Sequence, residues 1–286
     1  MPAVLVVQND DSDPAGPFGD WLIEAGVALD LRRPYAGDEL PPTLAEHAGL
    51  LVLGGSMGAL EDDAAPWLPP LRALLARAVD DEVPTLGICL GGQLLAAATG
   101  GTIGPNPDGP QFGAQLVAKR AAAAHDPLFR ALPITPDVIQ WHYDAVTALP
   151  PGAVLLASSP GCEVEAFRLG RLAWGTQFHL ETTPAIVADW VAAEAEALAD
   201  FDTERLLARA QAVHPDIAEA WRPFAHEFAA VIRDPQRVPA TAPVAASAAA
   251  PITDPAQIRA ALAAEMTAAR PSGPVPIRLE TPSEPR

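Results

Sequence analysis

The chain is poor in cysteine, with only Cys89 and Cys162 among its 286 residues. Two thiols do not make a disulfide scaffold, so a hydrophobic core must hold the fold, and a thiol is free for chemistry in a reducing compartment. No apolar run approaches the length of about twenty residues that a membrane-spanning helix requires. Met1-Pro2-Ala3 leads straight into a strand pattern without a basic stretch, unlike a signal peptide. The expectation is a cytoplasmic protein with no membrane partner. Positive charge is also scarce: 18 Lys and Arg stand against 36 Asp and Glu, a formal net charge of −18. That excess argues against nonspecific binding of nucleic acid or anionic membranes, and names no substrate. A G-x-x-x-x-G-K-[ST] phosphate loop is missing, and no internal repeat is evident. The histidines at 47, 125, 142, 179, 214 and 226 are scattered, and Glu61-Asp62-Asp63 reads as a solvated loop. Neither a metal nor a cofactor is expected.

What the chain does have is an abrupt junction. The apolar run Val83 to Ile88 stops at Cys89, and a helical pattern from Leu90 to Thr99 begins at once. A cysteine there sits at the tip of a tight turn above a helix N-terminus, where peptide dipoles favour the thiolate. Gly87 and Gly91 stand two residues to either side, the spacing of the G-x-S-x-G nucleophile elbow with Cys for Ser. The ordinary reading of such a cysteine is a small buried hydrophobe. A second segment weighs against it: Trp174 to Glu181 reads as a short strand. Alternate strand residues share a face, so His179 and Glu181 point the same way. The carboxylate then fixes the imidazole tautomer while the other ring nitrogen faces the sulfur. Cys89, His179 and Glu181 are the candidate nucleophile, base and orienting acid. Cys162 has neither glycine elbow nor helix start and reads as a packing residue.

These residues resemble the class I (triad) glutamine amidotransferase family, which carries a G-x-C-x-G-x-Q elbow and a later His-Pro-Glu. Gly87-Ile88-Cys89-Leu90-Gly91-Gly92-Gln93 matches the elbow throughout; His179-Leu180-Glu181 has Leu for Pro, a side chain expected to point away from the site. Gly54-Gly55-Ser56-Met57-Gly58 follows the apolar run Leu50 to Leu53 and resembles the family's glycine-rich oxyanion loop, although such loops are also ordinary turns. Gln140-Trp141-His142-Tyr143-Asp144 resembles the segment that lines the glutamine pocket, which makes His142 a supporting or structural residue. The likeness covers about residues 1–235 and is closest to stand-alone proteins similar to the glutaminase domain of GMP synthase.

The element pattern points to an α/β fold: an open, mostly parallel central sheet with helices on both faces and additional antiparallel strands. The resemblance adds that it is flavodoxin-like. Strands are expected at Ala3 to Val7, Val27 to Leu31, Leu50 to Leu53 and before Cys89, with helices at Phe18 to Ala25 and Leu71 to Asp81. Shorter runs at 115–117, 138–141, 154–157 and 164–167 read as strands that extend or flank the sheet. Thr183 and Pro184 read as N-cap and first position of a further helix. The segment 236–286 is a Pro- and Ala-rich tail with too few large apolar residues to fold alone, except for a possible helix at 256–270. That helix reads as a docking element or as part of a dispensable tail.

The resemblance implies hydrolysis of the glutamine side-chain amide through a cysteinyl thioester, giving glutamate and ammonia. It nominates the backbone amides of Gly55 and Leu90 as the oxyanion hole, and Gln93 and Tyr143 as substrate contacts; Gln93 would otherwise lie on a solvated helix face. Ammonia would pass to a synthase subunit in trans. A γ-glutamyl hydrolase acting on another γ-glutamyl amide or peptide would use the same triad, with loops 105–111 and 61–70 setting how open the pocket is. A non-catalytic regulatory or binding module is a third reading, opposed by the intact Cys, His and Glu. A cysteine enzyme resembling the intracellular protease and chaperone-like family is a fourth, and it lacks the distant His-x-Glu.

Overall fold

The computed structural model describes residues 1–239, so the tail from residue 240 and the helix expected at 256–270 lie outside the described residues. The first half of the chain runs β1 (Ala3–Val7), α1 (Gly16–Glu24), β2 (Ala28–Arg32), β3 (Gly49–Val52), α2 (Leu68–Asp80), β4 (Thr85–Ile88), α3 (Leu90–Ala98) and β5 (Thr102–Pro105). Then come β6 (Gln111–Leu116), β7 (Ala118–Lys119), β8 (Asp137–His142), β9 (Asp144–Ala148), β10 (Val154–Ser159), β11 (Cys162–Leu169), β12 (Ala173–Thr176), α4 (Pro184–Ala193) and α5 (Thr203–Arg233). Eight strands make one sheet in the order β2-β1-β3-β4-β12-β11-β10-β7. The first five are parallel; β11, β10 and β7 continue it antiparallel. Two separate antiparallel pairs, β5 with β9 and β6 with β8, stand beside it.

Strand alternation sets the layers. Val4 and Val6 of β1 enter one apolar layer, built with α1 and α5, whereas Leu5 and Val7 enter the other, built with α2 and α3. The helix α2 starts at Leu68, three residues before the expected Leu71, because Pro69 and Pro70 suit a first turn that needs no internal N–H donors. Thr183 caps α4 as expected, its Oγ1 accepting from the Ile186 amide at 3.2 Å.

The sequence reading passed over α5 entirely. Its buried positions Ala210, Val213, Ile217, Trp221, Phe224 and Phe228 recur every three or four residues, the helical stripe that would have revealed it. Pro215 and Pro223 obscured the pattern. Both are exposed, as are Gln211 and Glu219, whose carbonyls lose their amide partners and face water instead.

The parallel registers aim four loops at one edge of the sheet. Val7 pairs with Val52, Val52 with Gly87, and Ile88 with Thr176. The segments after β1, β3, β4 and β12 therefore leave side by side, at the carboxyl ends where α/β sheets bind ligands. One expectation fails here. The strand β12 ends at Thr176, and His179 lies beyond it, tied to β8 by an isolated antiparallel bridge with Ile139.

Candidate active site

The corner after β4 is as tight as its glycines predict. Cys89 has φ +51°, a region that a side chain occupies only under constraint. Its amide donates to Thr176 O at 2.8 Å. Behind it, a Cβ on Gly91 would lie 2.1 Å from Val52 O, and one on Gly87 would lie 2.4 Å from the Gly91 backbone. Only bare backbone lets α3 start this close to β3 and β4. The sulfur lies 3.8 Å from Trp141 O and takes an N–H from Gln177 Nε2 at 3.8 Å.

His179 follows the neighbouring strand and is buried. Its backbone exchanges hydrogen bonds with Ile139, N to O at 2.8 Å and O from N at 3.1 Å. Trp190 of α4 packs edge-on against the ring with centroids 4.7 Å apart. Nδ1 meets Glu181 Oε1 at 2.6 Å, and Glu181 Oε2 accepts the Leu180 amide at 2.8 Å. The shared side of His179 and Glu181 is thus realised outside a regular strand, and Leu180 turns into the core. Burial disfavours the imidazolium, but the Glu181 carboxylate and then the nearby Cys89 sulfur hold it well above the usual histidine range.

Of these groups Cys89 opens onto a cleft of about 260 Å³ whose other lining includes Gly55, Ser56, Met57, Glu61, Leu90, Gln93, Trp141, His142, Tyr143 and Glu194, while His179 and Glu181 lie buried behind it. A larger groove, about 400 Å³, lies between α5 and residues 128–133 and shares no residue with it. Neither the Gly55 nor the Leu90 amide has an acceptor among the described residues. Gln93 is buried rather than solvated. Its Nε2 is committed to Asp144 O at 2.9 Å and to Gln177 Oε1 at 3.2 Å. Tyr143 stands half exposed at the rim, its hydroxyl donating to Glu194 Oε2 at 2.5 Å; burial and that carboxylate push it up to about 12. Glu61, read as part of a solvated loop, also reaches the cleft, where Oε2 accepts the Gly58 amide at 2.9 Å. The loop 105–111 does not line it.

His142 is more than structural filler. Burial pushes it down to about 4, with the nearby His179 charge adding to that and the Asp144 carbonyl opposing it. A neutral ring whose Nδ1 sits 2.9 Å from a carbonyl carries its proton there, which leaves buried Nε2 as an acceptor without a partner among the described residues. Three residues received no role from the sequence: Gln177 beside the sulfur, Trp190 on the imidazole and Glu194 at the cleft, where Trp141 of the pocket segment also lies. Gln177 lay within the quoted 174–181 segment; Glu194 carries no local motif, and its place comes from α4.

The family model for glutamine amidotransferase class-I matches residues 22–188, more than half of the chain. The chain belongs to the class-I glutamine amidotransferase family. It is 28% identical over 207 residues to the glutamine amidotransferase-like protein YfeJ of Salmonella typhimurium, covering 71% of this chain and 86% of that one. It is 34% identical over 187 residues to the glutamine-hydrolyzing GMP synthase of Aeropyrum pernix, covering 63% of this chain but spanning only 33% of that protein. Gamma-glutamyl peptidase 4 of Arabidopsis thaliana is 31% identical over 156 residues, 53% of this chain and 61% of that one. A glutamine amidotransferase from Thermotoga maritima has the same fold in its crystal structure, with a TM-score of 0.72 and 28% identity over 80% of this chain and 98% of that one. No described helix is long and apolar enough to cross a membrane.

Proposed function

We propose that the protein hydrolyses the side-chain amide of glutamine through a thioester on Cys89. One arrangement carries this reading: Cys89 stands at the strained corner after β4, and the buried His179, on whose charge the Cys89 sulfur acts, has Nδ1 2.6 Å from Glu181. In this reading Cys89, His179 and Glu181 serve as nucleophile, base and orienting acid. The Cys89 thiolate attacks the amide carbon, and the carbonyl π pair moves onto oxygen. The Gly55 and Leu90 amides receive the oxyanion; fixed donors of this kind contribute about 3 kcal/mol each to the transition state. The His179 imidazolium protonates the departing nitrogen as the C–N bond breaks, and ammonia leaves. Neutral His179 then takes a proton from water as it attacks the thioester, and glutamate departs with Cys89 restored. Glu181 holds the tautomer and offsets the imidazolium charge throughout. Gln93 shapes the cleft floor, and Tyr143 with Glu194 forms the rim that meets the amino-acid end of the substrate.

Two features bear on what the ammonia or leaving group becomes. The family membership and the partial span of the GMP synthase support an acceptor enzyme on another chain, which would raise glutamine turnover when present. The likeness to gamma-glutamyl peptidase 4, together with the half-exposed rim at Tyr143, supports a second reading in which a γ-glutamyl peptide or amide is cut. Assay of purified protein for glutamate release from glutamine and a panel of γ-glutamyl amides separates them. Turnover of glutamine alone supports the first reading, and faster turnover of a substituted amide supports the second. If no compound releases glutamate, the proposal fails.

A further inference from the structure

Resting on that reading, we propose that Asp13 is a positioning residue for His179, its carboxylate facing the Cε1 edge of the ring and steadying the imidazolium from a side that neither Glu181 nor Cys89 covers. The geometry lies in what Gly54 lacks. A Cβ there would stand 2.5 Å from Asp13 Oδ1 and 3.0 Å from His179 Cε1. Carboxylate and ring edge thus approach the same point, and any side chain at 54 would wedge between them. Asp13 is only 7% exposed, and Oδ1 takes no hydrogen bond from a described residue. Desolvation disfavours the Asp13 carboxylate, and the positive group that opposes this is His179.

The loop after β1 is built to hold this acid still. Ser12 Oγ donates to Asp13 Oδ2 at 3.1 Å and to Asp10 Oδ1 at 2.9 Å, while Asp10 Oδ2 takes Ser56 Oγ at 2.6 Å. Trp190, the indole against the His179 ring, donates through Nε1 to Ser12 O at 2.9 Å. Gly16 packs its bare backbone against Glu181 O. One loop therefore touches the imidazole's packing partner, the carbonyl of its orienting acid and the glycine loop after β3. A charge spread over the ring is then met by an acid at Nδ1 and a second acid toward Cε1, with the Cys89 sulfur also acting on it.

The pH consequence has a definite sign. Burial pushes Asp13 up to about 6, opposed by His179 and reinforced by the Glu181 and Asp10 carboxylates. The titratable groups acting on His179 are Glu181 and Cys89; His179 in turn acts on Asp13, and His142 lies nearby. Above about pH 6 Asp13 is ionised and supports the imidazolium, and protonation below that value removes the support.

The test uses the full-length chain with histidine labelled at Cε1, in wild type, Asp13→Asn and Asp13→Glu, following the His179 resonance and glutamine turnover against pH. Asp13→Asn is expected to lower the His179 titration by about 0.5–1 pH unit. It should also reduce kcat about tenfold with KM little changed, and Asp13→Glu should restore part of both. A His179 titration that does not move in Asp13→Asn overturns the proposal, even if kcat falls, because a merely structural role predicts that result. Should Asp13→Asn not fold, the wild-type resonance decides. It must inflect near pH 6 as Asp13 titrates, and a flat trace contradicts the proposal. Absence of turnover in wild type would sink the glutaminase reading alone, since the resonance reports on Asp13 without a substrate.

Discussion

The corner at Cys89 and the hairpin at Cys162 hold the same side chain, free and buried, in two electrostatic settings. Cys89 stands where a parallel strand turns into a helix, and the imidazole on which its sulfur acts comes from the segment just past the next strand. Cys162 opens β11 in an antiparallel hairpin, where its thiol donates to Val164 O at 3.5 Å. Burial, then the charge of Glu165, push Cys162 up to about 12, which keeps it a protonated, inert thiol. Burial therefore does not separate a reactive cysteine from a packing one. The sheet does, by deciding whether the neighbour is a base or an acid.

The largest effect that would break this contrast is on turnover. Cys89→Ala is expected to reduce glutamate release by at least about 10³-fold, whereas Cys162→Ala leaves it within about twofold. Comparable losses in both variants would erase the distinction. Next comes backbone tolerance, read by denaturant unfolding. In Gly91→Ala the new methyl meets the Val52 backbone, and a cost of about 3 kcal/mol or more is expected. In Gly161→Ala, beside Cys162, it meets only the Gln111 side chain, which can swing aside for less than about 1 kcal/mol.

A subtler prediction concerns the acid next to Cys162. Burial pushes Glu165 up to about 7, opposed by nearby Ser159 and by the hydrogen bond from Gln140 Nε2 at 2.7 Å. Its folded form prefers the proton, so its contribution to stability is full below the unfolded carboxyl range and is lost as pH rises through about 7. Glu165→Gln removes that loss, and its amide can also serve Gln140 Oε1, which has no partner among the described residues. The variant should match wild type at pH 5 and exceed it at pH 8 by on the order of 2 kcal/mol. A stability difference independent of pH would contradict this account.

The same contrast shows what a single sequence reveals. The elbow was legible because its constraint is local: glycines two residues either side of Cys89 are demanded by one turn. The pairing of His179 with Glu181 followed from two-residue spacing, although the supporting backbone is a bridge to Ile139 and not the expected strand. Asp13, from the loop after β1, and Trp190 and Glu194, both carried by α4, were illegible because no periodicity records which elements a parallel register sets side by side. The helix α5 was missed for another reason. Pro215 and Pro223 ordinarily disfavour a helix, and only the exposure of that face shows why they are tolerated here.

The central claim is that one of two buried thiols is poised for attack on a γ-glutamyl carbonyl. It is tested most directly by incubating the protein with an electrophilic glutamine analogue, then locating the adduct by peptide mass spectrometry in wild type and His179→Ala. The account predicts one adduct per chain, on Cys89, formed much more slowly without His179. Modification of Cys162 in its place, or an unmodified Cys89 in folded wild-type protein, would contradict it.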